Sequence, residues 1–349
     1  MTQSDLETPP SHSQSEPGLL DRFADRKVLV LGDMVADEYV MGRPARISRE
    51  APVLILHFAE SFVRPGGATN TAYNISTLGA AAQVVGVIGD DEMGRRLRNA
   101  LDGAGISTAG MVVDPGRPTS TKTRVIAKGT QEVQQQVVRI DRIDPSTVDG
   151  GIRDRMIDAL RSALCHVDSL LISDYENGVI SPEVLEGCLP VARRKGLTVT
   201  VDAHGDLLRF RGVTAATPNQ PEAELTLGVR IMDDADLRDA GEELLRTMDA
   251  RGVLITRGSE GIALFERDRE PYILPISITD DSEVVDPTGA GDTVAAVFTL
   301  AIASGAPMRL AAYLGNVAGG EIVRRLGAAA LTRQDLAAAM SRTHLAAPA

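Results

Sequence analysis

The chain has 349 residues, 43% of them hydrophobic and 24% charged, which suits a folded globular protein with room for one large α/β domain or two small ones. Its net charge of −12, its lack of Trp and its 3% aromatic content argue against a nucleic-acid partner and against an anionic membrane surface. No apolar run approaches the roughly 20 residues that span a bilayer, and Met1–Pro17 lacks the order of a signal peptide, so a cytoplasmic protein is expected. Cys165 and Cys188 have no CxxC spacing and read as reduced structural residues.

Along the chain, residues 1–18 are rich in Ser, Pro and acidic residues and are expected to form a disordered tail. One folded domain is expected over 19–341, with a loose tail over 342–349. Strand-like runs cover Lys27–Gly32, Gln83–Gly89, Ser169–Ser173, Leu197–Val201, Ala215–Pro218 and Gly252–Thr256. Helical periods cover Asn70–Leu78, Met93–Ala104, Ile152–Leu164, Pro182–Lys195, Ala235–Met248, Gly291–Ala303 and Met308–Arg324. Their alternation predicts βαβ units and an α/β fold with a mainly parallel central sheet flanked by helices. Two segments break this rhythm, at about 44–64 and 119–141, and predict a small β-sheet lid. Such a lid suits an enzyme that must keep water from a reactive phosphate.

Polar residues follow the strands: Asp33, Asp174, Asp202, Asn219 and Arg257 each stand at a strand's carboxyl end. Ligands of open α/β sheets bind at that edge, although Asp and Asn also simply begin loops and cap helices.

The sharpest local pattern is Val285-Asp286-Pro287-Thr288-Gly289-Ala290-Gly291-Asp292-Thr293, opening a helix. Gly289 and Gly291 let the backbone approach a ligand, and the helix start offers free N–H groups to an anion. A carboxylate there makes sense if Asp292 takes a proton from a hydroxyl attacking a phosphate. A Gly-rich helix start with an acid in its first turn explains the same letters. Arg64-Pro65-Gly66-Gly67-Ala68-Thr69-Asn70 is a second such opening, suited to a polar ligand or to a plain turn. Asp33 and Asp37 could grip sugar hydroxyls or be solvated. Asn219 and Glu222 could hold a hydrated Mg²⁺ or form a capping box. Thr256-Arg257-Gly258 begins a turn of small residues that could admit a nucleotide. No P-loop and no G-x-G-x-x-G is present, and the five histidines show no metal-ligand spacing.

Taken together, these motifs resemble the PfkB family of carbohydrate kinases from about Lys27 to Leu331. The D-P-T-G-A-G-D stretch is similar to that family's C-terminal signature and P-G-G-A-x-N to its N-terminal one, with N-x-x-E and T-R-G between them. The resemblance implies a ribokinase-like fold. It implies ATP with Mg²⁺ near Asn219, Glu222, Thr256, Arg257 and Gly258, with Asn316 toward the adenine. It implies the amides of Gly289, Ala290 and Gly291 around the transferred phosphoryl group and Asp292 as base. Asp33, Asp37, Gly66, Gly67 and Asn70 would position the sugar.

Within the family the chain resembles the kinase domain of the heptose 7-phosphate kinase/ADP-heptose synthase proteins. Arg46–Val53, Thr121–Val125, Ser173-Asp174-Tyr175 and Thr217-Pro218-Asn219 carry that likeness. It implies phosphorylation of the anomeric hydroxyl of D-glycero-D-manno-heptose 7-phosphate, with Lys122, Arg124 and Arg139 facing the existing phosphate. The chain departs from the pattern at Arg49, where Pro is usual, and at Asp202-Ala203-His204, where D-P-K is usual. No counterpart of the nucleotidyltransferase half is found, so another protein is expected to attach the nucleotide. Other readings are a kinase for a fructose phosphate, ribose or a nucleoside, and a weakly catalytic sugar- or nucleotide-sensing protein. Exposed β-surface around Val53–Phe58 leads us to expect a homodimer.

Overall fold

A computed structural model describes residues 18–129, 134–277, 286–325 and 329–343. Apart from Gly18, Arg342 and Thr343, the two expected tails lie outside the described residues, as does Val285. The first half comprises β1 (Lys27–Gly32), β2 (Met34–Ile47), β3 (Leu54–Gly67), α1 (Ala68–Thr77), β4 (Ala81–Gly89), α2 (Glu92–Gly103), β5 (Ser107–Asp114), β6 (Ser120–Lys128) and β7 (Gln134–Arg142). There follow α3 (Gly150–Ala163), β8 (Ser169–Asp174), α4 (Pro182–Arg194), β9 (Thr198–Ala203), β10 (Ala215–Ala216), α5 (Gln220–Leu227) and α6 (Asp234–Thr247). The chain continues with β11 (Gly252–Thr256), β12 (Ile262–Glu266), β13 (Tyr272–Leu274), α7 (Ala290–Ala303), α8 (Met308–Ile322) and α9 (Arg333–Arg342).

The large sheet has the order β13-β12-β11-β10-β9-β8-β1-β4-β5. From β5 to β11 its strands are parallel, and β12 and β13 add antiparallel edges. Parallel strands covered on both faces read as continuous apolar runs, and β1 does so because alternate residues serve two cores. Val28 and Val30 pack with Ile75, Phe298 and Leu314 of α1, α7 and α8. Leu29 and Leu31 pack with Met156, Leu160 and Val184 of α3 and α4. Cys165 and Cys188 are both free thiols. No described helix is long and apolar enough to cross a membrane.

The second sheet has four strands in the order β3-β2-β6-β7. It begins at Met34 rather than near residue 44, where the lid was expected, because β2 leaves β1 after the single residue Asp33. Its antiparallel ladder with β3 runs from Met34–Gly67 to Ile47–Leu54. Asp37 and Glu38 hide this strand from a hydrophobicity reading. In the fold Asp37 meets Arg124 at 2.8 Å, while Glu38 takes bonds from Arg96 of α2 and Thr123 of β6. The Arg96 bond fastens the small sheet to the body, and the other two hold β2 against β6.

Gly32 sits where β1, β8 and α1 converge, and a Cβ there would lie 2.0 Å from the Ser173 carbonyl and 2.7 Å from the Ala68 Cβ. Backbone on one side and a helix on the other cannot yield cheaply. Gly32→Ala is therefore expected to lower unfolding free energy by about 2–3 kcal/mol. An unchanged urea midpoint would show that the junction has slack.

Candidate active site

The chain runs from β1 outward to β4 and β5, then returns to β8 and proceeds the other way through β9, β10 and β11. A reversal of this kind leaves a crevice beyond the strands' carboxyl ends. A cavity of about 300 Å³ lies there, large enough for a small ligand. It is lined by Lys122, Arg124 and Arg139 of the small sheet and by residues at the starts of α1, α5 and α7.

Asp292 is the third residue of α7 and is only 5% exposed. Three donors hold its carboxylate. Asn70 Nδ2 donates to Oδ2 at 2.6 Å, while the Thr71 hydroxyl at 3.0 Å and the Tyr175 hydroxyl at 2.8 Å donate to Oδ1. Burial raises the Asp292 pKa above the usual carboxylate range, and those donors, with the charge of His204, oppose the rise.

Helix α7 starts on Gly289, at φ +78° and without a side-chain cap. A Cβ there would meet Asn70 Nδ2 at 2.8 Å, so the position demands glycine twice over. The Ala290 amide donates to Pro287 O at 3.2 Å, and Ala290 does not line the cavity. The turn thus consumes one of the three expected amides. Among the described residues, the amides of Gly291 and Asp292 have no acceptor, and both residues line the cavity.

Asp37, Gly66, Gly67 and Asn70 line the cavity, but Asp33 does not. Asp33 is 1% exposed and accepts the amides of Tyr175 at 2.6 Å and Asn177 at 3.3 Å, which shapes the loop after β8. Burial lifts its pKa. Of the lid cations, Arg124 pairs with Asp37, and Arg139 pairs with Asp141 at 2.9 and 3.0 Å. Lys122 has no carboxylate partner among the described residues. Its Nζ lies 5.1 Å from the centre of the Tyr175 ring.

Of the two sequence readings of Asn219 and Glu222, the capping box is the one observed. The pair forms a capping box, with Glu222 N donating to Asn219 Oδ1 at 2.9 Å and Asn219 N to Glu222 Oε2 at 2.8 Å. Both residues and Thr256 also line the cavity. Glu222 Oε1 lies 2.6 Å from His204 Nδ1, so each carboxylate oxygen is already engaged. No group of three His, Cys, Asp or Glu among the described residues could hold a metal. The donor set fits a Mg²⁺ that keeps its waters and borrows ligands from phosphate. Arg257, Gly258 and Asn316 lie outside the lining: Arg257 pairs with Glu260, and Asn316 donates to Pro275 O at 2.7 Å.

Five lining residues had no assigned role in the sequence: Tyr175, Asp202, His204, Thr217 and Thr288. Asp202 stood among the polar strand ends and Tyr175 beside Asp174. Neither position discloses that Tyr175 bonds Asp292 or that Asp202 feels its charge, so the spatial role was invisible.

The family model described as pfkB family carbohydrate kinase matches residues 25–335. The bifunctional protein HldE of Geobacter metallireducens is 42% identical over 321 residues, covering 92% of this chain and 64% of that relative. The chain therefore spans less than two thirds of the relative's length. Escherichia coli phosphofructokinase-2 in complex with substrates and products superposes with a TM-score of 0.72 at 18% identity, over 91% of this chain and 99% of that one. Arabidopsis thaliana ribokinase complexed with ribose and ATP gives 0.68 at 20%, over 91% and 99%. The fold is ribokinase-like.

Asp202, Glu222 and Asp292 crowd three carboxyls around His204. Burial, with the charges of Asp292 and Glu222, pushes the Asp202 pKa up to about 7. The hydrogen bond to Glu222 is the main influence raising that of His204. Unfolded, Asp202 ionises near pH 4. Its burial thus costs nothing below about pH 4 and takes stability away progressively as pH rises to about 7. Asp202→Asn, which keeps an acceptor for the Thr217 hydroxyl at 3.0 Å, is expected to exceed the wild type by roughly 3 kcal/mol at pH 8 and to match it at pH 4. Equal melting curves at pH 8 would refute this burial cost.

Proposed function

Because the chain belongs to the pfkB family of carbohydrate kinases, we propose that it transfers the terminal phosphoryl group of ATP to the anomeric hydroxyl of D-glycero-D-manno-heptose 7-phosphate, giving the 1,7-bisphosphate. The observation that carries the chemistry is the buried Asp292 carboxylate beside the free amides of Gly291 and Asp292. In this reading Asp292 accepts the hydroxyl proton, the resulting oxygen attacks the terminal phosphorus, and the bond to the bridging oxygen breaks, with ADP leaving. The two amides and the positive end of α7 offset charge gathering on the transferred group. The small sheet keeps water from the phosphate.

The sugar end is proposed to rest on Asp37, Gly66, Gly67 and Asn70, with Asp33 setting the loop beneath. Lys122 is the first candidate for the 7-phosphate, since no described carboxylate competes for it. Asn219, Glu222 and Thr256 would face ATP, with Arg257, Gly258 and Asn316 serving the nucleotide from outside the cavity. Glu222 would hold Mg²⁺ through water, and the bound ion would screen the phosphate charges. The HldE relative supports the heptose substrate through its name and its 42% identity. A second reading, a kinase for another sugar, is favoured by the commitment of Arg124 and Arg139 to carboxylates and by His204 in place of the usual lysine.

Turnover with Mg²⁺ and ATP would be measured against heptose 7-phosphate, unphosphorylated heptose, fructose phosphates, ribose and adenosine. Clear preference for heptose 7-phosphate is expected, and preference for another acceptor would reassign the substrate. Asp292→Asn is expected to lower kcat by about 10²–10⁴-fold; unchanged turnover would remove Asp292 as base. ATP binding without turnover on any acceptor would support a sensing protein instead.

A cytoplasmic homodimer paired through the small sheet is also proposed. Ile47, Phe58 and Ile140 of that sheet are 59%, 70% and 59% exposed, an apolar display usual at interaction sites. Light scattering should give a dimer, and Phe58→Asp should shift it toward monomer. A monomeric wild type at working concentrations would end this proposal.

A further inference from the structure

We infer that Tyr175 is a positioning residue for the base: together with Thr71 it occupies Oδ1 of Asp292 and leaves Oδ2 as the atom that receives the proton. This rests on the reading of Asp292 as base and adds to it the accepting atom and the group that selects it.

A carboxylate oxygen has about two sites for hydrogen-bond donors. On Oδ1 both are filled, by Thr71 at 3.0 Å and Tyr175 at 2.8 Å. On Oδ2 one is filled, by Asn70 Nδ2 at 2.6 Å. The remaining site on Oδ2 is the free one. Oδ2 stands beside the start of α7, since a Cβ built on Gly289 would stand 2.8 Å from Asn70 Nδ2 and 3.9 Å from Asp292 Oδ2. An acceptor hydroxyl between Oδ2 and the amides of Gly291 and Asp292 would therefore meet base and cradle together.

Tyr175 is held for this task from several sides. Its amide donates to Asp33 Oδ2 at 2.6 Å. The His204 ring stands edge-on to its ring at 4.3 Å between centroids, and the Lys122 ammonium lies above its face. Burial and the charge of Asp292 keep its phenol protonated well above the ordinary range, so it remains a donor whenever the base is ionised. Around Asp292 the other polar and charged groups are Asn70 and Thr71 of α1, Asp202 of β9, His204 just beyond it, and Glu222 of α5.

Tyr175→Phe keeps the ring against His204 and Lys122 and removes only the hydroxyl. With heptose 7-phosphate as acceptor, kcat is expected to fall about tenfold with the KM for ATP unchanged. The acid limb of the kcat profile should move up by about one pH unit, since a donor that favoured the ionised carboxylate is gone. Unchanged kcat and limb, or a rise in acceptor KM alone, would overturn the inference. Asp292→Asn in parallel separates the two readings: if it turns over normally, the base assignment falls, whatever Tyr175 does. A measurement without acceptor uses full-length protein carrying ring-¹³C tyrosine at its five tyrosines. One resonance should stay protonated to higher pH in the wild type than in Asp292→Asn. Five superimposable titrations would overturn the hydroxyl–carboxylate contact even if Tyr175→Phe did not fold or no acceptor turned over.

Discussion

The buried carboxylate of Asp292 is the constraint on which the geometry of the site depends. Burial pushes its pKa above the usual carboxylate range. Asn70, Thr71 and Tyr175 counter that with three hydrogen bonds, drawn from α1 and from the loop after β8. The donors stay in register because α1 and α7 are themselves joined by polar bonds: Thr293 donates to Asn74 Oδ1 at 3.0 Å, and Asn74 donates to the Asn70 carbonyl at 3.0 Å. In a core otherwise built of Ile75, Leu78, Val297 and Phe298, this ladder of amides and hydroxyls is what fixes one helix against the other at a defined rotation. Packing sets the distance between the helices, and the polar ladder sets the angle at which the carboxylate arrives.

The small sheet depends on the same junction. Strand β2 starts one residue after Asp33, and β3 ends on Gly67, immediately before the helix that carries Asn70 and Thr71. Both ends of this hairpin are thus tied to the floor of the cavity. Its middle is fastened by Glu38 to Arg96 of α2 at 3.0 Å, while β3 runs straight into α1. The lid sheet and the helix that holds Asp292 in place are thus linked through a few residues of backbone.

Much of this was legible in the sequence, for a physical reason. Strands buried on both faces must be apolar throughout, so β1, β8 and β11 announce themselves. A helix that begins on a glycine with free amides advertises an anion site, and Gly289–Asp292 did so. The reading failed where side chains meet across sequence distance. The apolar pattern of β2 is interrupted by Asp37 and Glu38, and their partners Arg124 and Arg96 lie 87 and 58 positions away. Tyr175 lay in a segment that carried the family likeness, but nothing in Ser173-Asp174-Tyr175 tells where its hydroxyl will end. The Ala290 amide looked equivalent to its neighbours until the turn through Pro287 claimed it.

The lid's charges follow a logic of their own. Arg124 and Arg139 stand directly opposite each other in the β6–β7 register, and like charges so placed destabilise a sheet. The strands tolerate them because each arginine has a carboxylate at hand, Asp37 for one and Asp141 for the other. Asp141 is also the register partner of Lys122, so three cations and two acids share one patch, with a single positive charge in excess. A phosphate dianion entering that patch would find Lys122 without a carboxylate to displace, and two guanidiniums whose acids are already in place to receive them back when it leaves. Neutralising neighbours of this kind reduce affinity for the anion, but they hold the arginines extended and aimed while the cavity waits, which lowers the ordering cost of each encounter. The proposed acceptor, already phosphorylated at one end and attacking a second phosphate with the other, is the sort of ligand for which a site gains from keeping its cations restrained.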